Sequence, residues 1–501
     1  MKGRRSIEDP DRACALRRCF GYGSGVLRTR LTCSARTASL LSIGALAHLL
    51  SACAPFVGVP PDGPAQARIA ALRSDALKGT GALALARSLT TEVGPRPAGS
   101  DADRAAIAWA VRTMRALGLQ RVRTEPVRVR RWLRGESSAE LVSHGGRALS
   151  IAALGGSVAT PAEGLTAEVI AVTNLAALQK LPDSAIAGRI VFFHERMRRA
   201  KDGAGYGETV GIRSRGPRAA GKKGARAVVI RSVGTGSHGH PHTGGTWYRD
   251  GIPKIPAAAL SQGDADALLG LLAQGPVRLR LTLTPRDGGD VETANVIGEV
   301  VGSEAPDEIV LLGAHLDSWD LGPGALDDAA GCAIVLEAAR RIAALPERPK
   351  RTVRVVLFAS EETGIVGAKA YGVAHAGELG GHVLATEADF GTGRVYALRT
   401  RVAERAMPLV GTLLGLLAPL GISRGANTAT GGADLRPLFS AGVPVVTLAQ
   451  DGTHYFDVHH TAADTVAALD GPALDQAVAA FGALALFAAE TRARFGPISP
   501  R

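Results

Sequence analysis

The chain has 501 residues, 46% of them hydrophobic but only 4% aromatic, so it can bury more than one core, built mainly from Ala, Leu and Val. This length favours about two to three domains. The formal net charge of +12 would suit a nucleic-acid partner, but half of it comes from residues 1–36, where nine basic side chains outnumber three acidic ones. The rest of the chain therefore gives no reason to expect nucleic-acid binding.

Residues 1–53 have the layout of an export signal, with a basic stretch to Arg36, an apolar run over 40–50 and small residues before Cys53. The segment 50–53, Leu-Ser-Ala-Cys, is similar to the lipobox of bacterial lipoproteins. An ordinary signal peptide or a short buried helix is the alternative, and the run is too short to span a bilayer. We predict an exported protein, periplasmic or extracellular, that contacts the membrane only through a lipid on Cys53.

The five cysteines fit the same interpretation. Cys14, Cys19 and Cys33 would be removed with the signal and Cys53 would carry the lipid, which leaves Cys332 alone. The mature chain would then contain no intramolecular disulfide, so its core and any bound metals would hold the fold together.

After the signal, residues 54–66 contain four prolines and are predicted to form an extended tether. Residues 67–126 have a helical pattern, with apolar residues at helix spacing over 107–117 and a stop at Gly118. A rigid loop, Gly-Pro-Arg-Pro-Ala-Gly-Ser, interrupts this pattern at 94–100.

Residues 127–287 form a second region, with short β-rich runs separated by glycine-rich, basic loops. Beyond them strands and helices alternate, which predicts an α/β fold with a mainly parallel central sheet flanked by helices. The strand candidates are 309–312, 353–358, 383–385 and 443–448, and the helix candidates are 329–344 and 472–495.

Polar clusters follow these strands, at the edge where open α/β sheets bind their ligands. Imidazole and carboxylate groups suit zinc, and a carboxylate can bridge two metals that activate a hydrolytic water. Such a site also needs a carboxylate that is not a ligand, and the Glu361-Glu362 pair could provide one of each. A single cluster would be weak evidence for a metal site. The prediction rests on the ordered recurrence of such clusters after successive strands. The clusters are His315 with Asp317, Asp327 with Asp328, Glu361 with Glu362, Glu387 with Asp389, and His459 with His460.

These motifs resemble the M28 family of zinc exopeptidases, and most closely the branch that contains carboxypeptidase Q. The segments that carry the resemblance are 313–320, 324–328, 361–362, 387–389 and 455–465, within a similarity that covers about residues 70–495. The resemblance implies a catalytic domain in two parts, 67–126 and 288–497, separated by an inserted protease-associated domain at 127–287. It also implies two Zn²⁺ ions per chain and a short peptide as substrate.

The resemblance assigns roles to single residues. It implies that His315, Asp327, Glu362, Asp389 and His460 bind the metals, with Asp327 as the bridge. It implies Glu361 as general base and Asp317 as the residue that orients His315. His460 fits the family's His-Thr-x-x-Asp-Thr pattern, and His459 would then polarise the scissile carbonyl. The alternative, with His459 as the ligand, stays open.

Several other features are candidate sites. His238, His240 and His242 alternate and could bind a third metal, although the Gly and Pro around them favour a loop, and His242 is a candidate for touching substrate. Asp434 is either a substrate-binding residue or a helix cap.

Two further signals are weaker. Arg213, Arg215 and Arg218 are expected in a basic loop that is either solvated or meets a substrate carboxylate. The Gly-x-Ser-x-Gly segment at 421–425 lacks the strand and helix that a nucleophile elbow requires, so we reject it.

In relatives the inserted domain overhangs the active site, which favours short peptides. We therefore predict an aminopeptidase or dipeptidase. An acyltransferase similar to glutaminyl cyclase, which uses one zinc, and a non-catalytic peptide-binding surface lipoprotein are the alternatives, and neither explains a complete ligand set. The oligomeric state, a homodimer included, stays open.

Overall fold

The structure, a computed structural model, describes residues 59–499. The predicted export signal, its lipobox and residues 54–58 of the tether lie outside this range. The described residues form two sheets of eight strands each. In chain order the strands are β1 (Gln120–Leu133), β2 (Ser137–Leu141), β3 (Arg147–Leu149), β4 (Ile151–Ala153), β5 (Leu165–Val172), β6 (Ile190–Phe193), β7 (Ala227–Arg231), β8 (Ala257–Leu260), β9 (Arg278–Leu283), β10 (Arg286–Val300), β11 (Ala305–His315), β12 (Arg351–Phe358), β13 (His382–Glu387), β14 (Val395–Arg401), β15 (Ser423–Arg424) and β16 (Val445–Gln450).

Helices precede, connect and follow these strands. They are α1 (Gly63–Ala76), α2 (Ala82–Glu92), α3 (Asp101–Ala116), α4 (Leu175–Lys180), α5 (Asp183–Ile186), α6 (Ala204–Thr209), α7 (Gly211–Ser214), α8 (Gly216–Lys222), α9 (Gln262–Leu272), α10 (Ala330–Ala343), α11 (Val366–Ala374), α12 (Met407–Leu417), α13 (Arg436–Ser440), α14 (Tyr455–Val458) and α15 (Gly471–Glu490).

The first sheet has the order β1-β10-β12-β11-β13-β16-β14-β15. Its four central strands, β12, β11, β13 and β16, are parallel. β1 and β10 pair antiparallel with their neighbours, and β14 pairs antiparallel with β16 and parallel with β15. The predicted α/β fold with a mainly parallel central sheet is confirmed, and each of the four strand candidates corresponds to one central strand. β11 is longer than predicted and ends at His315 itself.

Both faces of this sheet are buried, which explains the uninterrupted apolar runs of its central strands. In β11, Val310 and Leu312 pack into a core with α1, α2, α3, α10, α12 and α15, whereas Ile309 and Leu311 pack with α11 and α13 on the other face. α15 is long and apolar enough to cross a membrane by composition, but 89% of its most apolar window is buried inside the protein. It is a core helix of the described fold.

The second sheet has the order β3-β2-β9-β5-β6-β7-β8-β4 and uses residues 137–283. β1 and β10, on either side of it, belong to the first sheet. One face of the second sheet packs with Leu326 and Phe456, which lie beside the polar clusters of the first. We call residues 137–283 the inserted module; its identity as a protease-associated domain stays a prediction.

Near the N-terminus the prediction is right for one helix and partly wrong for the tether. α3 covers the predicted apolar positions, Ser100 caps it by accepting a hydrogen bond from the Asp103 amide, and Gly118 follows with a φ of 82°. The tether is helical from Gly63 onwards. Asp62 caps α1, and Pro64 lies in its first turn, where the missing N–H of proline has no cost.

An ionic contact joins β1 to the layer that contains α11. His375 lies between Glu125 and Glu378, with its Nε2 2.9 Å from Glu125 Oε2 and its Nδ1 in contact with Glu378 Oε1. Burial disfavours the charged imidazole, but hydrogen bonds to the two carboxylates and their charges outweigh it and raise the pKa of His375. The protonated ring therefore stabilises this junction.

We expect His375→Gln to lower the free energy of unfolding by about 1 kcal/mol near pH 6 and by less near pH 9. Because the pKa of His375 is raised in the folded state, its stabilisation is complete below the unfolded-state pKa of about 6.5. The stabilisation is lost as the pH rises through the folded-state pKa. Urea denaturation of both proteins at the two pH values measures the difference. Equal losses at both would contradict a charged His375.

Candidate metal centre

The five predicted ligands meet at the carboxyl edge of the first sheet. His315 is the last residue of β11, Glu362 follows β12 and Asp389 follows β13. Asp327 lies in the turn before α10, and His460 follows α14. All five side chains lie on segments that leave this edge, as the spacing of the clusters predicts.

Asp327 is at the centre of this group. Its Oδ1 is 3.0 Å from His315 Nε2, and its Oδ2 is 3.1 Å from His460 Nε2. His315 Nε2 is also 3.7 Å from Asp389 Oδ1, and His460 Nε2 is 3.1 Å from Glu362 Oε2. The two oxygens of one carboxylate thus face two separate clusters.

The group fits divalent metal ions. The donor atoms of two triplets, His315-Asp327-Asp389 and Asp327-His459-His460, lie within 4.8 Å of one another and share Asp327. Asp327 Oδ2 and Glu362 Oε1 are buried and accept no hydrogen bond among the described residues. Several buried carboxylates without enough donors are costly unless cations compensate them. The chemistry of the donors therefore matches divalent metal ions such as zinc.

The electrostatics of the group reflect this crowding. Burial opposes ionisation of Asp327, but the adjacent imidazoles of His315 and His460 outweigh it and hold its pKa well below the usual range. Burial likewise opposes the charged imidazoles, yet the surrounding carboxylates raise the pKa values of His315 and His460. Burial, reinforced by neighbouring negative charges, raises the pKa of Glu361 and of Glu362.

Comparisons with known proteins agree with this site. The family model described as Peptidase family M28 matches residues 295–485, a span that includes all five predicted ligands. Carboxypeptidase Q from Rattus norvegicus is 38% identical over 403 residues, covering 80% of this chain and 84% of the relative. Carboxypeptidase Q from Homo sapiens is 36% identical over the same length. The chain belongs to peptidase family M28.

Solved structures agree on the fold. The M28 peptidase precursor from Shewanella amazonensis is 43% identical, with a TM-score of 0.86 over 87% of this chain and 99% of that one. BSAP, a zinc aminopeptidase from Bacillus subtilis, has a TM-score of 0.60 over 80% of this chain and 93% of its own, and at 22% identity it supports the fold alone. As an M28 peptidase, the chain is a metallo-exopeptidase, a hydrolase of peptide bonds.

Asp317 links two parts of the M28 site. His315 Nδ1 lies 3.0 Å from the Asp317 backbone carbonyl and 3.7 Å from Asp317 Oδ1. The same Oδ1 accepts a hydrogen bond of 3.0 Å from the Glu361 amide. The backbone of Asp317 therefore orients His315, and its carboxylate positions the segment that carries Glu361.

Three buried residues that the sequence analysis gave no role support the ligands. Asp328 accepts hydrogen bonds from the His315 and Gly331 amides, and Asp464 accepts them from the Leu326 and Asp327 amides. Arg96 is fully buried. The available signals were the acidic pair at 327–328, the Asp of the His-Thr-x-x-Asp-Thr pattern and the Arg within the loop at 94–100.

The Arg96 guanidinium binds backbone carbonyls instead of a carboxylate. It donates to Leu316 O at 2.5 Å, to Pro323 O at 2.5 Å and to Gly324 O at 3.1 Å. These carbonyls lie on the segments that lead to Asp317 and Asp327. Arg96 therefore fixes the spacing of the two segments, and its charge lies behind the acidic cluster.

His459 lies against His460, with ring centroids 3.5 Å apart and an interplanar angle of 21°. Its Nε2 is 3.4 Å from Asp327 Oδ2, and its Nδ1 has no hydrogen-bond partner among the described residues. Burial, together with the nearby charge of His460, lowers its pKa well below the usual range. His459 is thus a neutral imidazole beside the predicted ligands.

His242 does not touch the substrate cleft, contrary to the prediction, because it is buried beneath the His459-His460 segment. Its Nδ1 donates to the His459 carbonyl at 2.7 Å, and burial lowers its pKa to about 3. The adjacent Thr243 accepts a hydrogen bond from His460 Nδ1 at 3.3 Å and donates its amide to the His460 carbonyl at 3.1 Å. The inserted module therefore holds His460, whose φ is 62°.

The other histidines of that segment do not form a metal site. His238 and His240 are exposed, and neither belongs to a group of three donor residues within residues 59–499. Only His242 turns inward, because its amide donates to Ser232 Oγ and its ring to the His459 carbonyl.

Asp434 also departs from both predictions. It is fully buried, and its amide donates to the Glu387 carboxylate at 3.1 Å, while its own oxygens have no partner among the described residues. α13 begins at Arg436 and receives no side-chain cap. Asp434 is therefore neither a cap nor a group exposed to substrate.

A cleft of about 760 Å³ opens onto the metal centre. Glu361, Asp389 and His459 line its floor, and Tyr206, Arg213 and Trp247 of the inserted module line one wall. The predicted basic loop around Arg213 is mostly helical, since α7 contains Arg213, α8 contains Arg218 and Arg215 lies between the two helices. Arg213 is buried and donates to Tyr206 Oη at 2.6 Å.

Proposed function

We propose that the protein is a two-zinc exopeptidase of the aminopeptidase or dipeptidase type, which hydrolyses short peptides. The observation that carries this proposal is the position of Asp327, whose two oxygens face His315 and His460. A carboxylate between two imidazole clusters suits a metal pair. Glu361 lines the cleft beside it and forms no ion pair with a histidine within residues 59–499.

In this proposal His315, Asp327 and Asp389 hold one zinc, and Asp327, Glu362 and His460 hold the other. When bound, such ions lower the pKa of water and polarise a carbonyl. His460 is preferred to His459 as ligand because its Nε2 lies 3.1 Å from both Asp327 and Glu362, whereas His459 approaches only Asp327, at 3.4 Å.

Glu361 acts as the general base. Its carboxylate lines the cleft, and its backbone is held by Asp317 at 3.0 Å, so it can accept the proton of the attacking water. The same carboxylic acid then returns the proton to the leaving amine. His459, neutral and at the cleft floor, donates a hydrogen bond to the scissile carbonyl.

The lining of the cleft favours short peptides as substrates. Tyr206 and Trp247 of the inserted module line the same cleft as Ile365 and Phe390 of the first-sheet region. A folded protein chain would have to displace this wall to bring an internal peptide bond to Glu361, whereas a short peptide enters from one end.

We also propose export with lipidation at Cys53, which the order of basic, apolar and small residues supports. Mass spectrometry of the mature N-terminus after expression in a bacterial host tests it. A diacylglyceryl group on Cys53 is the expected result, and an unmodified N-terminus elsewhere would contradict it.

A panel of dipeptides, tripeptides and longer peptides tests the proposed activity. We expect release of one terminal residue or one dipeptide unit per cleavage, and loss of hydrolysis after zinc is removed by chelation. Product analysis by mass spectrometry also identifies which terminus is read. Cleavage at internal bonds of long peptides, or no hydrolysis by fully zinc-loaded protein, would contradict the proposal.

A further inference from the structure

A second cleft of about 660 Å³ also reaches the metal centre. Asp317 and Trp319 line its inner end, and Arg131 and Arg286 line its outer part. It shares Gly245, Trp247, Glu362 and Thr363 with the catalytic cleft. A peptide whose scissile bond lies at Glu361 can therefore extend into it.

Some of the cations in this second cleft are already neutralised. Arg130 pairs with Asp287 and Asp290. Arg134 binds Asp320, with Nε 2.9 Å from Oδ2, and its guanidinium carbon lies 5.0 Å from the centroid of the Trp132 ring. These pairs shape the cleft but offer no free charge to a ligand.

Three other cations form no close ion pair among the described residues, although the charge of Lys254 helps to lower the pKa of Asp287. Arg131, Lys254 and Arg286 line the cleft, and within residues 59–499 none of them forms an ion pair or a side-chain hydrogen bond. The remaining acidic residues of the lining, Asp317 and Glu362, belong to the metal centre. The outer part of the second cleft therefore carries excess positive charge, which attracts anions.

The entrance between the two clefts is aromatic. Trp247 is 45% exposed although it is a large apolar side chain, and its ring lies over Gly245 and Gly364. Glycine at position 245 leaves room for the ring, since a β-carbon there would lie 2.9 Å from it. An exposed indole at this junction offers a flat apolar surface to the part of a peptide that passes between the clefts.

We propose that the second cleft binds a carboxylate of the peptide substrate, through Arg131 and Arg286, at a position beyond the residues held at the metal centre. This inference rests on the proposed function. The carboxylate belongs either to an acidic side chain or to the free carboxyl terminus, which share the same chemistry. The site thus selects peptides that carry negative charge on one side of the scissile bond.

Binding is best measured in the Glu361→Gln background, where the peptide is not turned over. The probes are Leu-Gly-Gly amide, which is neutral at its C-terminus, Leu-Gly-Gly with a free carboxylate, and Leu-Gly-Glu amide with a charged side chain. Isothermal titration calorimetry is expected to give about three- to tenfold tighter binding for at least one charged probe. The charged probe that binds more tightly than the neutral one identifies the source of the carboxylate.

Adding Arg131→Gln and Arg286→Gln to this background is expected to abolish the tighter binding of the charged probe. About 0.5 M salt is expected to have the same effect. Arg128→Gln is the matched control, because Arg128 is exposed on the same strand but outside the cleft, and it should retain the gain. A gain that survives the double substitution, or equal binding of all three probes, overturns the inference. Hydrolysis of the amide probe by wild-type protein tests the proposed function separately.

Discussion

Replacing Glu361 by glutamine is expected to lower kcat for peptide hydrolysis by about 10²- to 10⁴-fold. Glutamine keeps the size of the side chain but cannot accept the proton of the attacking water. The zinc content is expected to stay unchanged, because within residues 59–499 Glu361 forms no ion pair with a histidine, whereas Glu362 lies 3.1 Å from His460. Steady-state kinetics and elemental analysis of the same preparations measure both quantities.

Glu163→Gln is a suitable control for this substitution, because Glu163 is exposed and its side chain makes no ion pair among residues 59–499. It should leave both kcat and zinc content unaltered. If Glu361→Gln hydrolyses peptides at the wild-type rate with its full complement of zinc, the general base must be a different group.

Asp327→Ala is expected to reduce bound zinc below one ion per chain and to abolish measurable hydrolysis, a loss of about 10³-fold or more. His315 Nε2 and His460 Nε2 both face this one carboxylate, at 3.0 and 3.1 Å. Its removal takes one donor from each metal position and also leaves the two histidines without their shared anion. Zinc titration by calorimetry and activity assays detect the combined loss.

Asp307→Asn provides the comparison for this variant, because Asp307 is exposed near the opposite end of β11. It should retain zinc and activity. A protein with Asp327→Ala that still binds one zinc tightly and hydrolyses peptides would show that Asp327 is not shared between two metals.

The sheet and the converging clusters could be predicted because they rest on local patterns. Apolar runs such as 309–312 and 353–358 are buried on both faces, and His315 and Glu362 follow them directly, so chain order alone places these residues at one edge. Asp327 could be included because its glycine-flanked turn precedes a helix that was also visible in the sequence.

The contacts that hold the predicted ligands in place could not be predicted from the sequence, since they join residues far apart in the chain. Thr243 meets His460 across 217 positions, and Arg96 meets Leu316 across 220. His242 resembled a substrate contact because its segment is similar to one in relatives, but only the three-dimensional structure reveals that it turns inward onto the His459 carbonyl.

The ends of the regular elements were also difficult to predict. Pro64 suggested an extended tether, but a proline in the first turn of a helix is well tolerated, and the cap at Asp62 decides the outcome. The glycine and arginine residues around Arg213 suggested a loop, whereas packing of Ile212 and Ala220 against the second sheet stabilises α7 and α8.

The number of zinc ions per chain tests the central claim most directly. Protein stripped of metal should be titrated with zinc while bound metal and peptide hydrolysis are followed together. The account predicts that binding saturates at about two zinc ions per chain and that full activity requires both. Saturation with full activity at one zinc ion or fewer per chain would contradict it.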